Sequence, residues 1–209
     1  MTAPGRIVVL NGAPRSGKSS IVAALQADPG GTWINLGVDM HMERMSPKRL
    51  LPGIGLRPGG ERPDLEPLLP VLFAALYESI AAHSRLGLDV VADVDHHDVY
   101  SQPLGILPDA ARRLTGLPVL LVGVRCPLDV IMQRRRSDAS GRAYVALGLG
   151  DDVPPPVRLW QDEVHRPGIY DLQVDTSILS AEACAAAILA QFECGRPLPS
   201  AFERIAAGR

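Results

Sequence analysis

Lysine is nearly absent from this chain. Of 21 lysines and arginines in 209 residues, only Lys18 and Lys48 are lysine. Charge of either sign is also balanced away: the formal net charge of −2 supplies no bulk attraction to nucleic acid or to an anionic membrane surface. Cysteine is scarce, with Cys126, Cys184 and Cys194 showing no metal-ligand spacing, and an odd count reads as reduced thiols in a cytoplasmic protein. No apolar run approaches the roughly 18 residues that a membrane helix needs. No leader is expected either, because the first apolar run leads straight into a glycine-rich loop. An Asn-Lys-x-Asp segment is missing, which speaks against guanine nucleotides.

One of the two lysines stands where a motif requires it. Gly12 to Ser19 read GAPRSGKS, a full match to the phosphate-loop pattern G-x-x-x-x-G-K-S/T. The loop follows the apolar run Ile7–Leu10 and precedes Ser20–Leu25, so strand, loop and helix fall in the order the motif needs. Gly12 and Gly17 allow the backbone to curl and turn its N–H groups inward, a nest for anionic oxygens. The helix that follows adds its own unsatisfied donors and positive end. The expected nucleotide contacts are Gly12, Ala13, Pro14, Arg15, Ser16, Gly17, Lys18, Ser19 and Ser20, with Lys18 at the β- and γ-phosphates and Ser19 on Mg²⁺.

Strand and helix signals alternate along the rest of the chain. Strands are expected at Arg6–Leu10, Trp33–Leu36, Asp89–Val94, Pro118–Val124 and Tyr170–Val174. Helices are expected at Lys18–Ala27, about Leu65–Leu86, Pro103–Leu114, Leu128–Arg136, Val157–His165 and Ala181–Phe192. This pattern, led by the phosphate loop, predicts an α/β, three-layer P-loop fold: an about five-stranded parallel sheet with helices on both faces. No repeat or second domain is visible, so residues 1–209 read as one domain. The polar, glycine-rich segment at about 137–156 ends in Pro154-Pro155-Pro156 and is a candidate lid, or else a plain surface connection. The tail from Gly195 is either a docked helix or a disordered end.

Ligands of open parallel sheets bind beyond the carboxyl ends of the strands. The second expected strand runs into Gly37-Val38-Asp39 and the third into Asp93-Val94-Asp95-His96-His97-Asp98. Asp39 is placed to take the proton of an attacking hydroxyl. Asp93 stands where a carboxylate would meet Mg²⁺, and Asp95 and His96 are candidate substrate contacts. Adjacent histidines do not easily reach one ion, so His96-His97-Asp98 reads as substrate contact or solvated polarity rather than a transition-metal site. Arg134, in the helix end before the candidate lid, and Arg142, within it, would meet charge on the transferring phosphoryl group, the alternative being solvated helix-end charge.

Asn11-Gly12 to Ser19, Trp33, Gly37-Val38-Asp39, Val122–Cys126, Val164-His165 and Tyr170–Thr176 (YDLQVDT) occur together and in order. On these residues the chain resembles the chloramphenicol phosphotransferase family of small P-loop kinases. The resemblance implies ATP-dependent phosphorylation of a small-molecule hydroxyl, with Asp39 as general base and an arginine-bearing lid. Met40–Glu66 and Val94–Gln102 carry none of it, so the acceptor stays open: an antibiotic, a nucleoside natural product or a metabolite. The rival of another class is a nucleotide-dependent switch or ATPase with no small-molecule acceptor. Oligomeric state is not legible, and a homo-oligomer is compatible with the sequence.

Overall fold

The computed structural model describes residues 3–43, 47–50, 62–137, 153–195 and 197–208. Five parallel strands form its centre: β1 (Ile7–Asn11), β2 (Ile34–Asn35), β3 (Val90–Val94), β4 (Val119–Arg125) and β5 (Leu172–Asp175), in the spatial order β2-β3-β1-β4-β5. β1, β3 and β4 are rich in Val, Ile and Leu and almost wholly buried, as strands covered on both faces should be. Successive residues then serve opposite layers. Ile7 and Val9 join a core with Phe73, Leu76 and Phe202, while Val8 and Leu10 join one with Ile21, Leu25 and Ile188.

The helices are α1 (Lys18–Gln26), α2 (Leu69–Arg85), α3 (Ile106–Arg113), α4 (Leu128–Arg136), α5 (Pro155–Glu163), α6 (Ala181–Glu193) and α7 (Ala201–Ala206). Helices α2, α3 and α7 build the first core, and α1 and α6 the second. A third, small cluster of Ala13, Cys126, Ile131, Trp160 and Val164 lies around the phosphate loop, α4 and α5. Register puts Asn11 beside both Val94 and Gly123, and Arg125 beside Asp175. The carboxyl ends of the central strands therefore open on one edge, with β1 between the two directions of strand order.

Several boundaries differ from the sequence expectation for identifiable reasons. β2 keeps only two residues, since Trp33 has a positive φ of 20° and the strand pairs with β3 alone. The expected long helix opens as a 3₁₀ segment, Pro63–Leu68, where Pro67 lacks an N–H to donate. The triple-proline run does not precede α5 but starts it, with Pro155 and Pro156 in the first turn, where proline costs no hydrogen bond. Pro63–Arg85 is long and apolar enough to cross a membrane by length and composition, which the sequence reading missed. Here Leu69, Phe73, Leu76, Tyr77 and Ile80 of that segment are packed into the core. The tail docks: Ser200 and Glu203 close a reciprocal capping box, Phe202 and Ile205 are buried, and Asp171 accepts the Ala201 N–H at 2.6 Å.

Candidate active site

A cleft of about 560 Å³ lies over the carboxyl ends of β1 and β3. Pro14, Arg15, Gly17, Lys18, Ser19 and Ser20 line one side of it. Val38, Asp39, Asp93 and Asp95 face them, and Arg134, Trp160, Thr176 and Leu179 close the rest. Gly12, Ala13 and Ser16 lie beneath as the packed base of the loop. A Cβ on Gly12 would run 2.6 Å from Val124 O, and Ala13 belongs to the third core cluster. The Ser16 hydroxyl is buried with no hydrogen-bond partner among the described residues.

Lys18 Nζ donates to Gly12 O at 2.6 Å and Ala13 O at 3.0 Å, so its ammonium is held across the mouth of its own loop. Ser19 Oγ donates to Asp93 Oδ2 at 3.2 Å, which joins the first turn of α1 to the end of β3. Asp95 sits on the same wall, and Trp160 Nε1 donates to its backbone oxygen at 3.3 Å. Its carboxyl is pushed up to about 6 by removal from solvent; Lys18 opposes the rise, and Asp39 and Asp93 add to it.

Behind the cleft, Asn11 closes a buried network. Its amide donates to Val164 O at 2.7 Å and to the Tyr170 hydroxyl at 3.0 Å, while its Oδ1 accepts the His96 N–H at 2.9 Å. Tyr170 in turn lies 2.8 Å from His165 Nδ1. Burial, aided by the charges of Arg125 and Lys18, brings His165 down to about 4 and keeps its ring neutral.

His96 lies apart from the other expected site residues. Expected as a substrate contact, it is 4% exposed, packed on Phe73, and bonded through Nε2 to the Tyr77 hydroxyl at 2.5 Å. Burial, with a lesser contribution from His97, lowers it to about 3 and keeps it neutral. Its residue position follows β3, but its ring packs against Phe73 and Tyr77, and it lines a second cavity with His97 and Ile106 and not the nucleotide cleft.

Arg134 lines the cleft and is held by bonds to the protein itself. Its Nη1 donates to Arg15 O at 3.2 Å and Thr176 Oγ1 at 3.0 Å, and its Nη2 to Thr176 O at 2.7 Å. Arg142 and most of the candidate lid, residues 138–152, lie outside the described residues. Trp160 and Thr176 were missed from sequence. Thr176 follows β5 directly, so the strand-end rule that selected Asp39 and Asp93 would have found it.

The family description of chloramphenicol phosphotransferase-like proteins matches residues 5–193. The chain belongs to that family. Counterparts from two strains of Mycobacterium tuberculosis, provisionally named O-phosphotransferases, are 26% identical over 96% of this chain and 88% of theirs. Among solved structures, the Mycobacterium tuberculosis APS kinase in complex with AMPPNP and APS overlays with a TM-score of 0.57 at 17% identity, covering 91% of this chain and 99% of that one. The Deinococcus radiodurans tunicamycin resistance protein overlays with a TM-score of 0.55 at 18% identity, covering 90% and 95%. The fold is thus that of P-loop kinases, and this member of the chloramphenicol phosphotransferase-like family is a phosphotransferase.

Proposed function

We propose that this enzyme moves the γ-phosphoryl group of ATP to a hydroxyl of a small molecule, an antibiotic or a related natural product. The observation that carries the reading is one cleft that gathers Lys18, the Ser19–Asp93 pair and Asp39. In the reaction the acceptor oxygen forms a bond to the γ-phosphorus and the bond to the β-bridging oxygen breaks, releasing ADP. Asp39 takes the hydroxyl proton, and Lys18 exchanges its loop carbonyls for phosphate oxygens.

Ser19 and Asp93 would hold Mg²⁺. Among the described residues no group of three or more His, Cys, Asp or Glu side chains forms a metal cage. A hydroxyl and a carboxylate 3.2 Å apart fit an ion that is completed by phosphates and water. Mg²⁺ bound there neutralises charge on the β- and γ-phosphates. Asp95, which lines the same cleft, would bond a substrate hydroxyl.

The antibiotic assignment draws on the chloramphenicol phosphotransferase-like family and on the likeness to the tunicamycin resistance protein. A panel of hydroxylated antibiotics, nucleosides and sugars incubated with MgATP tests it, read by a mass gain of one phosphoryl group. Phosphorylated antibiotic supports the assignment. Phosphorylation of nucleosides or sugars alone replaces it with a metabolite kinase, and ATP turnover indifferent to every acceptor replaces it with a nucleotide switch.

A further inference from the structure

The segment Tyr170–Thr176 is singled out by sequence, yet none of its residues enters the chemistry above. Structurally it grips the phosphate loop at two points. Tyr170 holds Asn11 at the loop's entrance, as described. At the other end Thr176 Oγ1 donates to Ser16 O at 2.6 Å and accepts from Arg134 Nη1 at 3.0 Å. Thr176 is itself fixed, because its N–H donates to Arg125 O at 3.1 Å and its carbonyl accepts Arg134 Nη2. Arg134 completes the brace by donating to Arg15 O. Two successive loop carbonyls, Arg15 O and Ser16 O, are thereby drawn to one side by one threonine–arginine pair.

We infer that Thr176 is a positioning residue for the phosphate loop: its hydroxyl fixes the Ser16–Gly17 peptide so that the Gly17 N–H is turned toward the phosphates. In a trans peptide the C=O and the following N–H point in opposite directions. Pulling Ser16 O toward Thr176 therefore sends the Gly17 N–H away from it. Gly17 accepts this orientation because it sits at φ 96°, in the left-handed region. Its Cα also lies flush against the brace, since a Cβ there would meet the Thr176 side chain at 3.2–3.3 Å. Fixed in advance, the loop loses little freedom when a nucleotide binds, so the hydroxyl contributes affinity without touching ligand. Arg134 acts through the same brace.

The inference rests on the nucleotide reading of the cleft, and the experiment separates the two. ADP affinity is measured by calorimetry for the wild type, Thr176→Val and Thr176→Ser, with thermal unfolding of each. Valine keeps the shape and removes the hydroxyl; serine keeps the hydroxyl. The expected result is a loss of about tenfold or more in ADP affinity for Thr176→Val, the scale of one lost charge-assisted hydrogen-bond arrangement. Thr176→Ser should stay within about twofold of wild type, and Thr176→Val should still unfold cooperatively. If the valine variant does not fold, Thr176→Cys takes its place, and the same loss is expected. Equal ADP affinity in wild type and Thr176→Val overturns the inference alone, as does a serine variant as weak as valine. Absence of ADP binding by the wild type overturns the nucleotide reading with it.

Discussion

Gly37 and Asp93 share one space: a Cβ on Gly37 would overlap Asp93 Oδ1. The glycine before Val38-Asp39 thus leaves room for the carboxylate that pairs with Ser19 across the cleft. Position 37 serves the proposed metal side of the site while leading into the proposed base at position 39.

Gly37→Ala should therefore displace the Asp93 carboxylate and break its bond with Ser19. The expected outcome is a marked rise in the Mg²⁺ concentration needed for half-maximal turnover, with ADP affinity measured without metal changed little. An unchanged Mg²⁺ dependence would remove the steric link. Asp93→Asn should show the same Mg²⁺ phenotype, because it weakens the same oxygen donor.

Asp39→Asn should slow turnover by on the order of 10²–10⁴-fold, the usual worth of a general base, with the unfolding temperature preserved. Lys18→Ala should abolish turnover. Steady-state kinetics with any acceptor found in the panel reads both, and full activity in Asp39→Asn would exclude that residue as the base.

Asp95 gives a pH dependence of stability whose sign is fixed by the direction of its shift. The folded carboxyl titrates near 6 against an ordinary value of 3.8, so the folded state binds the proton more tightly than the unfolded state. Stability is lost as pH rises from about 4 to 6, and the penalty is complete above that. Asp95→Asn should melt above wild type at pH 8 and together with it at pH 4. A difference that is the same at both pH values would contradict the shift.

Asn11 is 2% exposed and links β1 to Val164, Tyr170 and His96. Asn11→Ala leaves a buried N–H and a buried carbonyl without their partners, which should cost on the order of 2–4 kcal/mol in denaturant unfolding. A cost below about 0.5 kcal/mol would mean that the network is not a structural anchor.

What was legible in the sequence followed short-range rules. The apolar runs gave the central strands because strands buried on both faces need uninterrupted Val, Ile and Leu. The phosphate loop and the carboxylates at strand ends gave Lys18, Ser19, Asp39, Asp93 and Asp95, all of which line one cleft. The surroundings of His96 were not legible, because a position after a strand does not fix where a side chain turns, and its partner is the Tyr77 hydroxyl 19 residues earlier. Arg134 was chosen for its charge, yet its bonds depend on Thr176, 42 residues away. The docked tail was legible in part: Ser200-Ala201-Phe202-Glu203 is a capping box in plain sequence, but its receiving groups on Asp171 and β4 are not local.

The most direct test of the account is ³¹P NMR of the enzyme with MgATP and an acceptor from the panel. Phosphoryl transfer at the Lys18–Asp39–Asp93 site predicts a phosphate-monoester resonance appearing in equal amount with ADP, and neither in Lys18→Ala. ADP accompanied by inorganic phosphate alone, whichever acceptor is present, would contradict it.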